Sequence, residues 1–145
     1  MPSITLSSPN ILPEGPIIEV QFLVSASLEA NLRQQNKQVP NPVTVRVLID
    51  TGCGICSVSE EIPKQLGIEP IGVTTIFTAA GEGQASVYFM RMRITTPNGI
   101  ITWEGKFNSV ILTRQNISGL IGRDLLQHGN FLYLGNSSQF VLSLL

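Results

Sequence analysis

Charge is scarce in this chain. Of its 145 residues only 13% are Asp, Glu, Lys or Arg, and the formal net charge is −1. No basic block occurs, so a nucleic-acid surface, which needs clustered Lys and Arg to displace counterions, is not expected. Long hydrophobic runs are also missing. The apolar stretches are short and interrupted, and none approaches the roughly 20 residues that a membrane-spanning helix requires. The opening Met1-Pro2-Ser3-Ile4 has neither the basic patch nor the apolar block of a signal peptide, so a soluble, cytoplasmic protein is expected. There are two cysteines and one histidine. That is too few for a structural zinc site of four Cys or His ligands, and no metal or cofactor is expected. No G-x-S-x-G string is present to build a serine nucleophile elbow.

What the chain has is hydrophobic residues, 43% of the total, enough for a core. The length suits one domain, residues 1–145, with residues 1–15 as an N-terminal arm. Strand patterning dominates. Ile17 to Val24 is rich in β-formers, and Val43 to Ile49 alternates before ending as a continuous apolar run. Between them, Ala26 to Pro42 is polar and reads as a long hairpin loop with one helical turn around Leu28 to Leu32. Ser59 to Gly67 carries the acids, first-turn proline and closing glycine of a short helix. Val73 to Thr78 and Ser86 to Ile94 flank a tip, Ala79-Ala80-Gly81-Glu82-Gly83-Gln84. Tyr88, Met90, Met92 and Ile94 share one face and Arg91 and Arg93 the other, as in a half-buried strand. After the turn Pro97-Asn98-Gly99, a strand runs from Ile101 through Phe107, and Asn108 to Thr113 keeps strand register. A brief helix from Gly122 or Arg123 to His128 precedes a last hairpin, Asn130 to Leu134 and Gln139 to Leu144, turning at Gly135-Asn136-Ser137-Ser138. Many short strands with one or two short helices predict an all-β fold, a closed antiparallel β-barrel.

Chemistry concentrates at two places. Asp50-Thr51-Gly52 ends the apolar run Val43 to Ile49, which puts a carboxylate at the mouth of a buried strand in a tight turn. Some seventy residues later comes Gly119-Leu120-Ile121-Gly122-Arg123-Asp124-Leu125-Leu126. In this order and spacing the pair resembles the retropepsin-like family of aspartic proteases, which includes the single-domain proteases of retroviruses. The resemblance covers Val43 to Leu126. It implies a barrel of the retropepsin type and an aspartic endopeptidase needing no metal. It also implies Asp50 as the catalytic acid, Thr51 locking two active-site turns across a dimer, and Gly52 letting the backbone approach substrate. The hairpin tip with Ala79, Ala80, Gly81, Glu82 and Gly83 resembles the flap that closes over a bound peptide. Gly122 and Arg123 resemble structural residues beside the catalytic strand. Ile49, Ile55, Val58, Ile76 and Ile121 are candidates for apolar substrate pockets.

Asp50 and Asp124 are the sole aspartates of the chain. Aspartic-protease chemistry uses two carboxylates sharing one proton and one water. Asp124, beside Arg123 at a helix start, reads as a cap or structural ion pair. The second catalytic acid is therefore expected from Asp50 of a second copy, in a two-fold homodimer acting on a peptide or protein substrate. Two departures from the retroviral pattern stand out. Gly54 occupies the place where an acid commonly pairs with the helix arginine, so Arg123 needs another partner, Glu60 or Glu61 being candidates. The chain also adds the hairpin Asn130 to Leu145, as cellular and bacterial relatives of that family do.

Other readings use the same residues. A retropepsin-like dimerisation or peptide-binding module would keep the groove without the catalysis. A Ser or Cys hydrolase would need His128 beside Cys53, Cys56 or a serine. His128 in the last turn of a helix has a sufficient role against the helix dipole. Cys53 and Cys56 have the spacing of a thiol redox pair, but such a pair opens a helix, whereas Cys56-Ser57-Val58-Ser59 reads as extended. Packing around the active-site turn accounts for both. Asn116-Ile117-Ser118 and Asn136-Ser137-Ser138 match the glycosylation sequon by chance.

Overall fold

The computed structural model describes residues 1–113 and 116–144. Strands make up 51% and helices 18%, so the chain is mostly β. In order come β1 (Ser3–Ser7), α1 (Ile11–Glu14), β2 (Ile17–Leu23), α2 (Ala26–Gln34), β3 (Val43–Ile49), β4 (Ser57–Ser59) and α3 (Glu61–Gln65). Then follow β5 (Gly72–Thr78), β6 (Gly81–Thr96), β7 (Gly99–Val110), β8 (Gly119–Ile121), α4 (Arg123–Leu126), β9 (Gly129–Leu134) and β10 (Gln139–Leu144). The last hairpin falls where the sequence places it, apart from Leu145, which lies outside the described residues.

Strands β2-β3-β8-β4-β7-β6 form a closed six-stranded barrel. Closure is made by β2 pairing with β6 at Gln21↔Arg93, Phe22↔Met92 and Leu23↔Arg91. Strand β5 hangs on β6 outside this ring. Its other edge carries no strand among the described residues. A second sheet, β1-β10-β9, packs against the barrel through Phe140, Leu142 and Leu144 of β10. The expected N-terminal arm thus includes a strand, β1, paired along β10 from Ser3↔Ser143 to Ser7↔Gln139.

The barrel is not purely antiparallel. β8 runs parallel to β3 and β4 runs parallel to β7. The chain re-enters the ring between β3 and β4 after a long excursion, and the returning strand matches the direction of β3. That insertion places the two sequence signals side by side.

The alternation read in the sequence is the core. Tyr88, Met90, Met92 and Ile94 are buried, and Arg91 and Arg93 lie on the other face of β6. Phe22 and Phe107 meet edge-on at 5.4 Å, and Trp103 meets Phe107 at 5.2 Å, spacings that suit the aromatic quadrupole. Trp103 also covers Gly105, where a Cβ would come within 2.7 Å of the indole ring.

Helix content exceeds the expectation of one or two short helices. The segment expected as a loop with one helical turn holds the nine-residue α2. It has no fully buried residue, so its hydrophobic signal is faint. Ser25 caps it, accepting a hydrogen bond from Leu28 N at 3.2 Å. Polar bonds dock it. Arg91 Nη2 meets Glu29 Oε2 at 2.8 Å, and Ala26 N donates to Glu104 Oε2 at 2.8 Å.

Candidate active site

Strand β3 is held on both edges, by β2 and by β8, and therefore buries Val47 and Ile49. The chain leaves the sheet at Asp50, whose N–H still donates to Ile121 O at 2.9 Å. A tight turn follows. Cys53 N donates to Asp50 O at 3.1 Å, and Gly52 N donates to the Asp50 carboxylate Oδ1 at 2.9 Å. The turn orients the carboxylate through its own backbone, as Asp does in Asx turns. A Cβ on Gly52 would sit 3.1 Å from that oxygen and press on it.

The second signal braces this turn. At the start of α4, Arg123 N donates to Cys53 O at 2.8 Å and Asp124 N to Gly54 O at 3.1 Å. The Asp124 carboxylate reaches back, its Oδ1 accepting from Cys56 N at 3.0 Å, Cys56 Sγ at 3.1 Å and Leu125 N at 2.9 Å. Gly122 lies so close that a Cβ would stand 2.9 Å from Cys53 O and Ile55 C. Only glycine permits this approach. Asp124 is thus a brace and does not line the groove at Asp50.

Arg123 has a different partner from either candidate. Its Nη1 donates to the carbonyl of Thr51 at 2.7 Å. Glu60 instead accepts from Tyr88 Oη at 3.1 Å and lies 3.6 Å from Lys64 Nζ. With Gly54 leaving room beside the guanidinium, Arg123 reaches the backbone of the Asp-Thr-Gly turn directly.

Asp50 opens onto a groove of about 590 Å³. Its lining takes Gly52, Ile55 and Arg123 from around the Asp50 turn, Thr75 to Thr78 from β5 and Asn108 to Val110 from β7. Of the expected apolar pocket residues, Ile55 and Ile76 are there. Ile49, Val58 and Ile121 belong to the buried core. They point inward because strands bordered on both sides in a closed ring bury one face completely.

The hairpin tip is shorter than expected. Ala79 and Ala80 make a two-residue turn, closed by Thr78↔Gly81. Gly81 has φ +115, which side-chain-bearing residues rarely adopt. Glu82, Gly83 and Gln84 lie in β6, paired with Phe77, Ile76 and Thr75. The hairpin residues that line the Asp50 groove come from the β5 arm and not from the tip. The strand pattern of Val73 to Thr78 indicated the arm, but not that it would line the groove.

The two cysteines are free thiols that hydrogen-bond around the Asp50 turn and the start of α4. Cys56 is buried, accepts from Gly122 N at 3.2 Å and donates to Asp124. Burial pushes its thiol pKa far above the ordinary range. Cys53 donates to Ile55 O at 2.8 Å, and its pKa is also raised, chiefly by burial. Both shifts run upward, opposite to the low-pKa thiol of a redox motif. His128 is exposed at a separate cavity of about 210 Å³, with Ile101, Thr102, Trp103, Leu125 and Leu144. No cysteine or serine lines that cavity. Among the described residues no cluster of His, Cys, Asp or Glu is arranged to hold a metal ion, and no helix is long and apolar enough to cross a membrane. No family model matches the chain, and no curated protein matches it.

Proposed function

We propose that the chain is one subunit of a homodimeric aspartic endopeptidase of the retropepsin type. One observation carries this reading: the Asp50 carboxylate, oriented by Gly52 N–H, lies on a groove that strand β5 also lines, and the outer edge of β5 carries no strand among the described residues. An extended peptide fits such a groove by pairing with a strand edge while its side chains fill pockets.

The chain supplies one such carboxylate to the groove, since Asp124 is committed to Cys56 and Leu125. A second copy supplies the other across a two-fold axis, with Thr51 linking the turns. Two close carboxylates do not both ionise readily, so one keeps a proton. The ionised Asp50 takes a proton from a water held between them, and that water attacks the peptide carbonyl. The protonated Asp50 donates to the carbonyl oxygen, giving a neutral tetrahedral diol. The Asp50 that took the water proton passes it to the leaving nitrogen, while the other, now ionised, takes a proton from a diol hydroxyl. The C–N bond thus breaks to an acid and an amine, and the pair again holds one proton. The β5–β6 hairpin acts as the flap, excluding water and offering backbone bonds to the peptide.

The test is cleavage of a peptide library at acid pH by the chain and by Asp50→Asn. The substitution keeps size and shape but removes the base, so turnover falls to background while the thermal transition stays in place. Wild-type turnover in Asp50→Asn overturns the reading. Binding of peptides without cleavage by either protein would favour a peptide-binding module.

A further inference from the structure

The groove continues past Ile76, Thr78, Ser109 and Val110 into a second cavity of about 430 Å³. Ile76, Val110 and Ile111 give it apolar walls, and Glu60 is the one charged residue among those lining it. We infer that this cavity is a subsite for a basic residue of the bound peptide, Arg or Lys, with Glu60 as its counter-charge. The inference rests on the groove being a peptide site.

Three features support it. First, the chemistry matches in two parts. Arg and Lys carry a long apolar stem with a charged head, and stems pack on apolar walls while heads seek a carboxylate. Second, Glu60 is held in place. Buried Tyr88 donates to its Oε1 at 3.1 Å. Burial and the Glu60 carboxylate both raise the Tyr88 pKa, so the phenol remains a donor. Third, the existing cation is weakly bound. Lys64 Nζ is 3.6 Å from Glu60 Oε2, beyond hydrogen-bond length, and its side chain is 71% exposed. An exposed pair of this kind contributes little and yields to a better-placed cation. Gly83 and Ser86 keep the cavity open where larger residues of β6 would fill it.

The probes are synthetic peptides with an apolar centre and a single Arg, Gln or Glu scanned through each flanking position. They are presented to the full chain and to Glu60→Gln, Glu60→Lys and Glu61→Gln. Cleavage gives kcat/KM, and fluorescence anisotropy in an Asp50→Asn background gives Kd. At one position the wild type favours Arg over Glu by about tenfold, the effect of one partly exposed charge-assisted contact. Glu60→Gln brings that ratio near one, Glu60→Lys inverts it, and Glu61→Gln keeps it. An Arg preference that persists in Glu60→Gln, or no Arg preference at any position, overturns the subsite. Binding with a Glu60-dependent Arg preference but no cleavage overturns the protease reading and leaves the subsite standing. Cleavage without Glu60 dependence does the reverse, and the absence of both overturns both.

Discussion

At the scale of single residues, the chemistry of this chain is a matter of which aspartate is free. Asp50 spends one oxygen on its own turn and faces the groove, whereas Asp124 gathers three donors on one oxygen. The sequence already separated these roles, because only Asp50 ends an apolar strand and only Asp124 starts a helix. It could not supply the partner of Arg123, since a guanidinium reaching a backbone carbonyl leaves no mark on residue type. Replacing Asp124 by Ala strands the Cys56 N–H in the interior, and losing a buried donor's partner costs about 1–3 kcal/mol. The expected result is a lower denaturation midpoint with residual peptide cleavage, read from urea titration and activity side by side. Gly122→Ala acts on the same contact from the other side. A Cβ 2.9 Å from two backbone atoms forces the turn and α4 apart, and overpacking of this kind costs about 1–3 kcal/mol. Because the backbone moved is that of the Asp50 turn, turnover is expected to drop further in Gly122→Ala than in Asp124→Ala. Equal turnover in the two variants would show that the spacing between Gly122 and the turn does not set the position of Asp50.

At the scale of elements, hydrophobic alternation was the reliable guide, and polar docking was the hidden part. β3, β6, β7 and β10 follow from apolar periodicity, because each turns buried residues to one face. The parallel pairings of β3 with β8 and β4 with β7 were invisible, since a strand of three residues carries no directional signal. Helix α2 was underestimated for a related reason. It is held to the barrel by ions, and Glu29 is the hinge of that attachment, bonded to Arg33 within the helix and to Arg91 on β6. Hydrogen bonds from Arg33 and then Arg91 hold the Glu29 pKa below its ordinary value of 4.5. A depressed carboxylate pKa stabilises the fold above the ordinary value, and that contribution disappears as the pH falls through the folded-state value. Glu29→Gln is therefore expected to melt earlier than wild type at neutral pH. The gap narrows below pH 4.5 and closes once Glu29 is protonated in both states. Thermal melts of both proteins across that range provide the check. A gap independent of pH would mean that Glu29 acts by packing and not by charge.

At the scale of the whole molecule, the barrel places one carboxylate, Asp50, beside the groove, whereas the proposed mechanism uses two. Apolar side chains are exposed on the surface, among them Phe77 on the β5 arm and Leu132, Tyr133 and Leu134 on the edge strand β9. The sequence pointed to self-association by counting aspartates, but it could not place the contact surface, because edge strands are defined by what they lack as neighbours. If two copies of Asp50 share the water, activity is a property of the pair and obeys mass action. Specific activity is then expected to fall on dilution through the dimer dissociation constant, in step with the loss of dimer seen by analytical ultracentrifugation. Titrating wild type with excess Asp50→Asn protein should inhibit it, because each mixed dimer holds one carboxylate and one amide and cannot split a proton between two acids. With random exchange of subunits, the active fraction falls as the square of the wild-type share, steeper than simple dilution of enzyme. A linear fall, or constant specific activity from a species shown to be monomeric, would mean that one subunit completes the reaction alone and that its second acid comes from elsewhere in the chain.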